Sequence, residues 1–134
     1  MADNTIWLTV EDVKEIHKDQ IDRFGGLPGL KSIELLESAV SAPLNLRYYG
    51  DEKSVIHLGA HLAHAIVKNH AFADGNKRTA TIAFLEFLYV NGLAITIEDS
   101  AEHQPLAELM EQMAASKITS QQFAETLRPY MVEV

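Results

Sequence analysis

Apolar residues recur at helical spacing along most of the chain, and the breaks between the stripes carry glycine, proline or capping side chains. Thr9-Val10-Glu11-Asp12 has the form of an N-cap followed by acidic residues in a first turn. Val13, Ile16, His17, Ile21 and Phe24 continue the stripe, so a first helix is predicted to about Phe24. Gly25-Gly26-Leu27-Pro28-Gly29 ends it, because glycine and proline favour turn conformations that a helix interior rejects. Ser32 can cap a short second helix with Leu35, Leu36, Ala39 and Val40 inward, stopped by Pro43. Leu44 to Lys53 then reads as a loop anchored by Tyr48 and Tyr49, which could also line a peptide groove.

From Ser54 onward, Val55, Leu58, Leu62, Ala65 and Ile66 trace a third helix ending near Asn69. Ala80 through Val90 is apolar on nearly every side and closes with Asn91-Gly92, as expected of a central helix surrounded by others. Leu93 to Ile97 alternates weakly and predicts at most one short strand. Pro105 can start a helix carrying Leu106, Leu109, Met110 and Met113, the two methionines on its core-facing stripe. Thr119-Ser120-Gln121-Gln122 resembles a capping box that opens a last helix through Leu127, before Pro129. The sum is a single all-α domain over residues 1–134, about six helices around a buried central one, without linkers, repeats or low-complexity segments.

Composition narrows the setting. Apolar residues make up 47% of the chain, enough for a proper core. There is no long apolar run, and Met1-Ala2-Asp3-Asn4 stands where a basic leader would begin, so neither a membrane span nor a signal peptide is expected. The absence of cysteine excludes disulfides and thiolate metal sites and fits the cytoplasm. A net charge of −8 opposes broad nucleic-acid binding, which draws its affinity from clustered cations. An anion site must therefore be local, and the dense cationic spots are Lys68 and the pair Lys77-Arg78.

Between the third and central helices lies His70-Ala71-Phe72-Ala73-Asp74-Gly75-Asn76-Lys77-Arg78-Thr79, a loop delivered by one inner helix into the next. Gly75 permits a backbone angle closed to other residues, and Asn76 can cap the central helix, whose leading N–H groups attract an anion. Lys77 and Arg78 fall in the first helical turn, where positive charge opposes the dipole unless an anionic partner is present. Asp74 is suited to magnesium, which takes carboxylate, water and phosphate oxygens. His70 carries an imidazole, a group able to take a proton from an attacking hydroxyl. The alternative reading of the same residues is a plain connection in which His70 and Asp74 bond to backbone and the two cations are solvated.

The run from His70 to Ala80 resembles the signature of the Fic/Doc superfamily in its Doc (death-on-curing) branch. Leu8 to Val13, Gly25 to Gly29 and Leu35-Leu36-Glu37-Ser38-Ala39 resemble the Doc pattern as well. The resemblance implies a mainly helical fold whose motif loop and following helix bind ATP, with His70 as general base toward a target hydroxyl. It also implies magnesium on Asp74, phosphate held by Gly75, Asn76 and neighbouring amides, Lys77 and Arg78 facing the transferring phosphoryl group, and a buried Phe72 that fixes the loop. Those parts are what phosphoryl transfer requires.

Departures from the wider Fic pattern bear on the reaction. Adenylyltransferases of that type have proline after the histidine, a second glycine after the asparagine and a further arginine, where this chain has Ala71, Lys77 and Thr81. Lys77 would crowd nucleotide phosphates lying close to backbone, and a phosphate clamp is missing, so AMP transfer is the runner-up to γ-phosphate transfer. Similarity to Doc implies elongation factor Tu as the threonine-bearing target and translation arrest as the result. No Ser or Thr is followed four residues later by Glu, so an internal inhibitory helix of the Fic type is not expected. Control is instead implied to come from a Phd-type antitoxin. A third reading is a Fic-fold binding module that has lost catalysis. His57, His61 and His64 share a helix face with Lys68 in a spacing able to present imidazoles to zinc, yet nothing completes a zinc motif.

Overall fold

A computed structural model describes residues 4–97 and 100–134, so the Met1–Asp3 start, read above for a leader, lies outside it. The elements are α1 (Val10–Phe24), α2 (Ile33–Tyr49), α3 (Val55–Asn69), α4 (Asn76–Val90), β1 (Leu93–Ile95), α5 (Pro105–Ala114), α6 (Ser120–Leu127) and β2 (Met131–Glu133). The fold is thus all-α with one two-stranded antiparallel ribbon, Leu93 opposite Glu133 and Ile95 opposite Met131. Local sequence sets the helix starts. Thr9 and Thr119 both close capping boxes, with Asp12 and Gln122 as the reciprocal partners, and Ser32 accepts from the Leu35 amide.

The predicted central helix is α4, and its Phe84 and Phe87 are fully buried. Phe84 meets Phe123 of α6 edge-on, with ring centroids 5.1 Å apart. Gly59 on α3 lets that helix approach both rings: a Cβ there would sit 3.2 Å from Phe84 and from Phe87. The packing of α3 on α4 holds their connecting loop, His70 to Gly75, at a defined place on the surface.

Three expectations are corrected. The second helix does not stop at Pro43 but runs on to Tyr49, replacing most of the loop placed at Leu44 to Lys53. Pro43 forfeits the hydrogen bond to the Ala39 carbonyl, yet it is itself buried and the turn beyond it packs Leu46 on the core, which offsets the loss. Tyr49 anchors nothing, being 89% exposed, while Tyr48 rests its ring 6.3 Å from that of Trp7. The cap of α4 is Gly75, in the left-handed region at φ 76°, and Asn76 is the first helical residue, its side chain turned to another purpose described below.

Candidate active site

The chain leaves α3 through His70, a non-glycine residue in the left-handed region (φ 51°, ψ 50°) whose N–H still bonds the Ile66 carbonyl at 3.3 Å. This reversal projects the imidazole outward while the next two residues, Ala71 and Phe72, plunge into the core. Phe72 stacks on the buried His17 ring of α1, centroids 3.8 Å apart and planes within 9°. His17 Nε2 in turn donates to the Asp74 carbonyl at 2.8 Å. The side chain of Asn76, almost wholly buried, accepts from the Phe72 amide at 3.2 Å and donates to the Phe72 carbonyl at 3.0 Å. The motif loop is therefore tied from inside by two side chains.

A second tie comes from the glycine-rich turn after α1. The Ala73 amide donates to the Gly29 carbonyl at 3.0 Å, and the Lys31 and Ser32 amides donate to the Ala71 carbonyl at 2.7 and 3.2 Å. The turn thus runs as a short antiparallel partner of the motif loop, with Leu30 opposite Phe72. It brings the Lys31 ammonium to 3.3 Å from His70 Nδ1.

Asp74 accepts from the Leu27 amide at 3.2 Å on one carboxylate oxygen and from the Gly75 amide at 2.8 Å on the other. These two donors, with smaller contributions from the Arg78 and His17 charges, hold its carboxyl below the ordinary aspartate range. Asp74 is exposed and ionised at neutral pH, with lone pairs to spare on each oxygen. Such a group fits magnesium. Among the described residues no cluster of three or more His, Cys, Asp or Glu could hold a metal.

No side chain caps the N-terminus of α4, which leaves its leading amides open to an anion. The two cations of its first turn diverge. Lys77 Nζ reaches α5 and pairs with Glu111 Oε1 at 2.6 Å, whereas Arg78 donates to the Gly25 carbonyl at 3.0 Å and lies over the Phe24 ring at 6.0 Å. His70, Asp74, Gly75, Asn76, Lys77 and Arg78 all line one cavity of about 630 Å³, closed on the far side by α5. Phe72 is 2% exposed and stands behind that wall.

The histidines at 57, 61 and 64 lie elsewhere. His57 Nε2 pairs with Glu125 at 2.8 Å, the rings of His61 and His64 stack 6.4 Å apart, and none of the three borders the cavity. Burial holds His61 and His64 below the usual imidazole range, chiefly by desolvation. The sequence pattern did not single out Lys31 or Glu111, and it read Gly26 only as part of the Gly25–Gly29 turn. A Cβ on Gly26, at φ 118°, would stand 2.7 Å from the Asp74 carboxylate. His17 was read as one more member of the apolar stripe of α1.

No helix among the described residues is long and apolar enough to cross a membrane. A family model described as Fic/DOC family matches residues 7–88, which include α1, the glycine turn, the motif loop and most of α4. The chain is 31% identical over 121 residues to a protein named protein kinase doc from Escherichia phage P1, covering 90% of this chain and 92% of that one. It is also 33% identical over 92 residues to toxin Doc of Mycolicibacterium smegmatis, covering 68% and 69% of the two chains. With a family match over more than half its length and a relative aligned nearly end to end, the chain belongs to the Fic/Doc family, in its Doc branch.

Proposed function

We propose that this chain is the toxin of a toxin–antitoxin system, a cytoplasmic phosphotransferase that moves the γ-phosphate of ATP to a threonine hydroxyl of a translation factor, elongation factor Tu being the expected target. The observation that carries the reading is the cavity wall, which a histidine, an ionised carboxylate, two cations and an uncapped helix N-terminus all line. Names of relatives support the class: one is called a protein kinase and the other a toxin. A Phd-type antitoxin is the expected partner.

In this reading the open amides at Asn76 and Lys77 bind phosphate oxygens, Gly75 shapes the turn that leads into them while its own N–H stays on Asp74, and Asp74 holds magnesium, which neutralises phosphate charge. His70 accepts the proton of the threonine hydroxyl as its oxygen attacks, while Lys77 and Arg78 face the charge spread over the moving phosphoryl group. Asn76 serves through its backbone, since its side chain is committed to Phe72. Lys77 favours γ- over α-phosphate transfer, because its side chain crosses from α4 to Glu111 over the ground where a glycine would let phosphates lie flat.

The deciding experiment is label transfer into purified elongation factor Tu and whole lysate, with ATP labelled at the γ- or the α-phosphate. Label from γ alone, lost in His70→Ala, is the expected result. Label from α would make the protein an adenylyltransferase, and an active His70→Ala protein would remove the proposed base.

A further inference from the structure

Lys31 lies outside the His70–Arg78 motif, yet its ammonium contacts the imidazole of His70, on which the proposed reaction turns, 3.3 Å from Nδ1. The contact is built by the backbone. Lys31 N–H donates to the Ala71 carbonyl at 2.7 Å and the nearby Gly29 carbonyl accepts from Ala73, so the residue, next to the isolated Leu30–Phe72 bridge, is tied to the motif loop through its backbone. Among the described residues no carboxylate pairs with Lys31, and His70 Nδ1, 3.3 Å away, is the partner of its Nζ. In a chain with 19 acidic residues against 11 Lys and Arg, a lysine aimed at a histidine rather than a carboxylate asks for a reason.

An ammonium only donates, so the Nδ1 it contacts must be the unprotonated nitrogen, and the neutral ring carries its proton on Nε2. The nitrogen free to accept a proton is therefore the one that Lys31 covers. An incoming hydroxyl must take the place of the ammonium at Nδ1, and the displaced charge then stands next to the atom under attack. We propose that Lys31 is a further catalytic residue: it holds His70 in the Nε2–H tautomer while the site is empty, then gives up Nδ1 to the target hydroxyl and donates to the γ-phosphoryl oxygens. The inference rests on the phosphotransfer reading above. In the step itself the hydroxyl proton passes to Nδ1, the bond from the acceptor oxygen to the γ-phosphorus forms, and the bond from that phosphorus to the β–γ bridging oxygen breaks. ADP leaves, and the imidazolium returns its proton to water.

Two measurements test the proposal. Nitrogen-15 NMR of labelled protein should show His70 as the Nε2–H tautomer, and Lys31→Met should erase that preference; a protonated Nδ1 in the unmutated protein, or a tautomer indifferent to Lys31→Met, overturns the holding role. In cells, Lys31→Met should relieve growth arrest, and in the γ-label assay it should lower the turnover number roughly 10²-fold, as loss of one donor to a developing oxyanion does, with the KM for ATP little changed. Lys31→Arg, which keeps a donor, should restore part of it, and circular dichroism should show both variants folded. Arrest by Lys31→Met equal to that of the unmutated toxin, beside a silent His70→Ala, overturns the role of Lys31 and leaves phosphotransfer standing. Label from the α-phosphate instead overturns phosphotransfer, while the tautomer still decides whether Lys31 holds His70.

Discussion

The side-chain amide of Asn76 closes on both backbone polar groups of Phe72, accepting from its N–H at 3.2 Å and donating to its carbonyl at 3.0 Å. Both hydrogen bonds are buried. Asn76→Ala would leave a donor and an acceptor of the motif loop unpaired, each costing about 1–3 kcal/mol. Denaturant unfolding is expected to show a loss of about 3 kcal/mol, and nucleotide binding should weaken with it because the loop no longer holds one shape. A change within about 0.5 kcal/mol, the usual span of an innocuous surface substitution, would mean that the loop is held without Asn76.

Gly26 and Asp74 make a second such relationship. With φ at 118° and an ideal Cβ 2.7 Å from the carboxylate, Gly26→Ala must strain its backbone and push Asp74 off the Leu27 amide. The expected outcome is a magnesium requirement raised several-fold in the transfer assay, with α-helix content intact. Because Asp74 has its pKa depressed, its carboxylate stays charged throughout the neutral range and protonates only as pH falls through that lowered value. An acid limb between pH 5 and 8 in the transfer rate should therefore survive Gly26→Ala unmoved.

Glu86 is shifted the opposite way. Desolvation first, then the charges of Asp12 and Glu15 across a groove between α1 and α4, hold its carboxyl above the ordinary glutamate range. A raised pKa in the folded state means that ionising Glu86 works against folding at pH values above its unfolded pKa, and that this penalty vanishes in acid where the group is protonated. Glu86→Gln should raise stability at pH 7 by a few tenths of a kcal/mol, discounted for an exposed side chain, and the gain should disappear near pH 4. Urea midpoints of the two proteins at both pH values check the sign.

How far all this could be read from the chain depends on the distance over which each feature is decided. Helix starts were legible because Thr9, Ser32 and Thr119 find their partners three residues away. The end of α2 was not, since a proline stops a helix only when nothing repays its missing hydrogen bond, and here the burial of Pro43 and Leu46 does so. The motif residues were legible as a block, being contiguous. Their partners were not: His17 meets Asp74 across 57 positions, Lys31 meets His70 across 39, and Glu111 meets Lys77 across 34. No periodicity or composition encodes such pairings. Asn76 was read as the cap, one position off: it is the first helical residue and its side chain turns inward to Phe72, because the left-handed Gly75 took the cap position.

The Lys77–Glu111 pair gives the last prediction, and its energetics decide what to measure. Both side chains are more than half exposed, 53% and 62%, so solvent screens the pair and its worth to stability is at most about 1 kcal/mol. Glu111→Gln should accordingly leave the unfolding midpoint almost unchanged. Its effect should fall on binding, for Glu111 occupies the ammonium that a nucleotide phosphate would need, and adds a like charge to the wall of a cavity that must admit an anion. Removing a competing interaction of about 0.2–1 kcal/mol tightens binding by about 1.4- to 5-fold. Calorimetric titration with a non-hydrolysable ATP analogue should therefore give a lower Kd for Glu111→Gln than for the unmutated protein, and the difference should shrink as salt screens the carboxylate. A higher Kd would reverse the assignment: Glu111 would then be the residue that aims Lys77 at the phosphate rather than the one that holds it back.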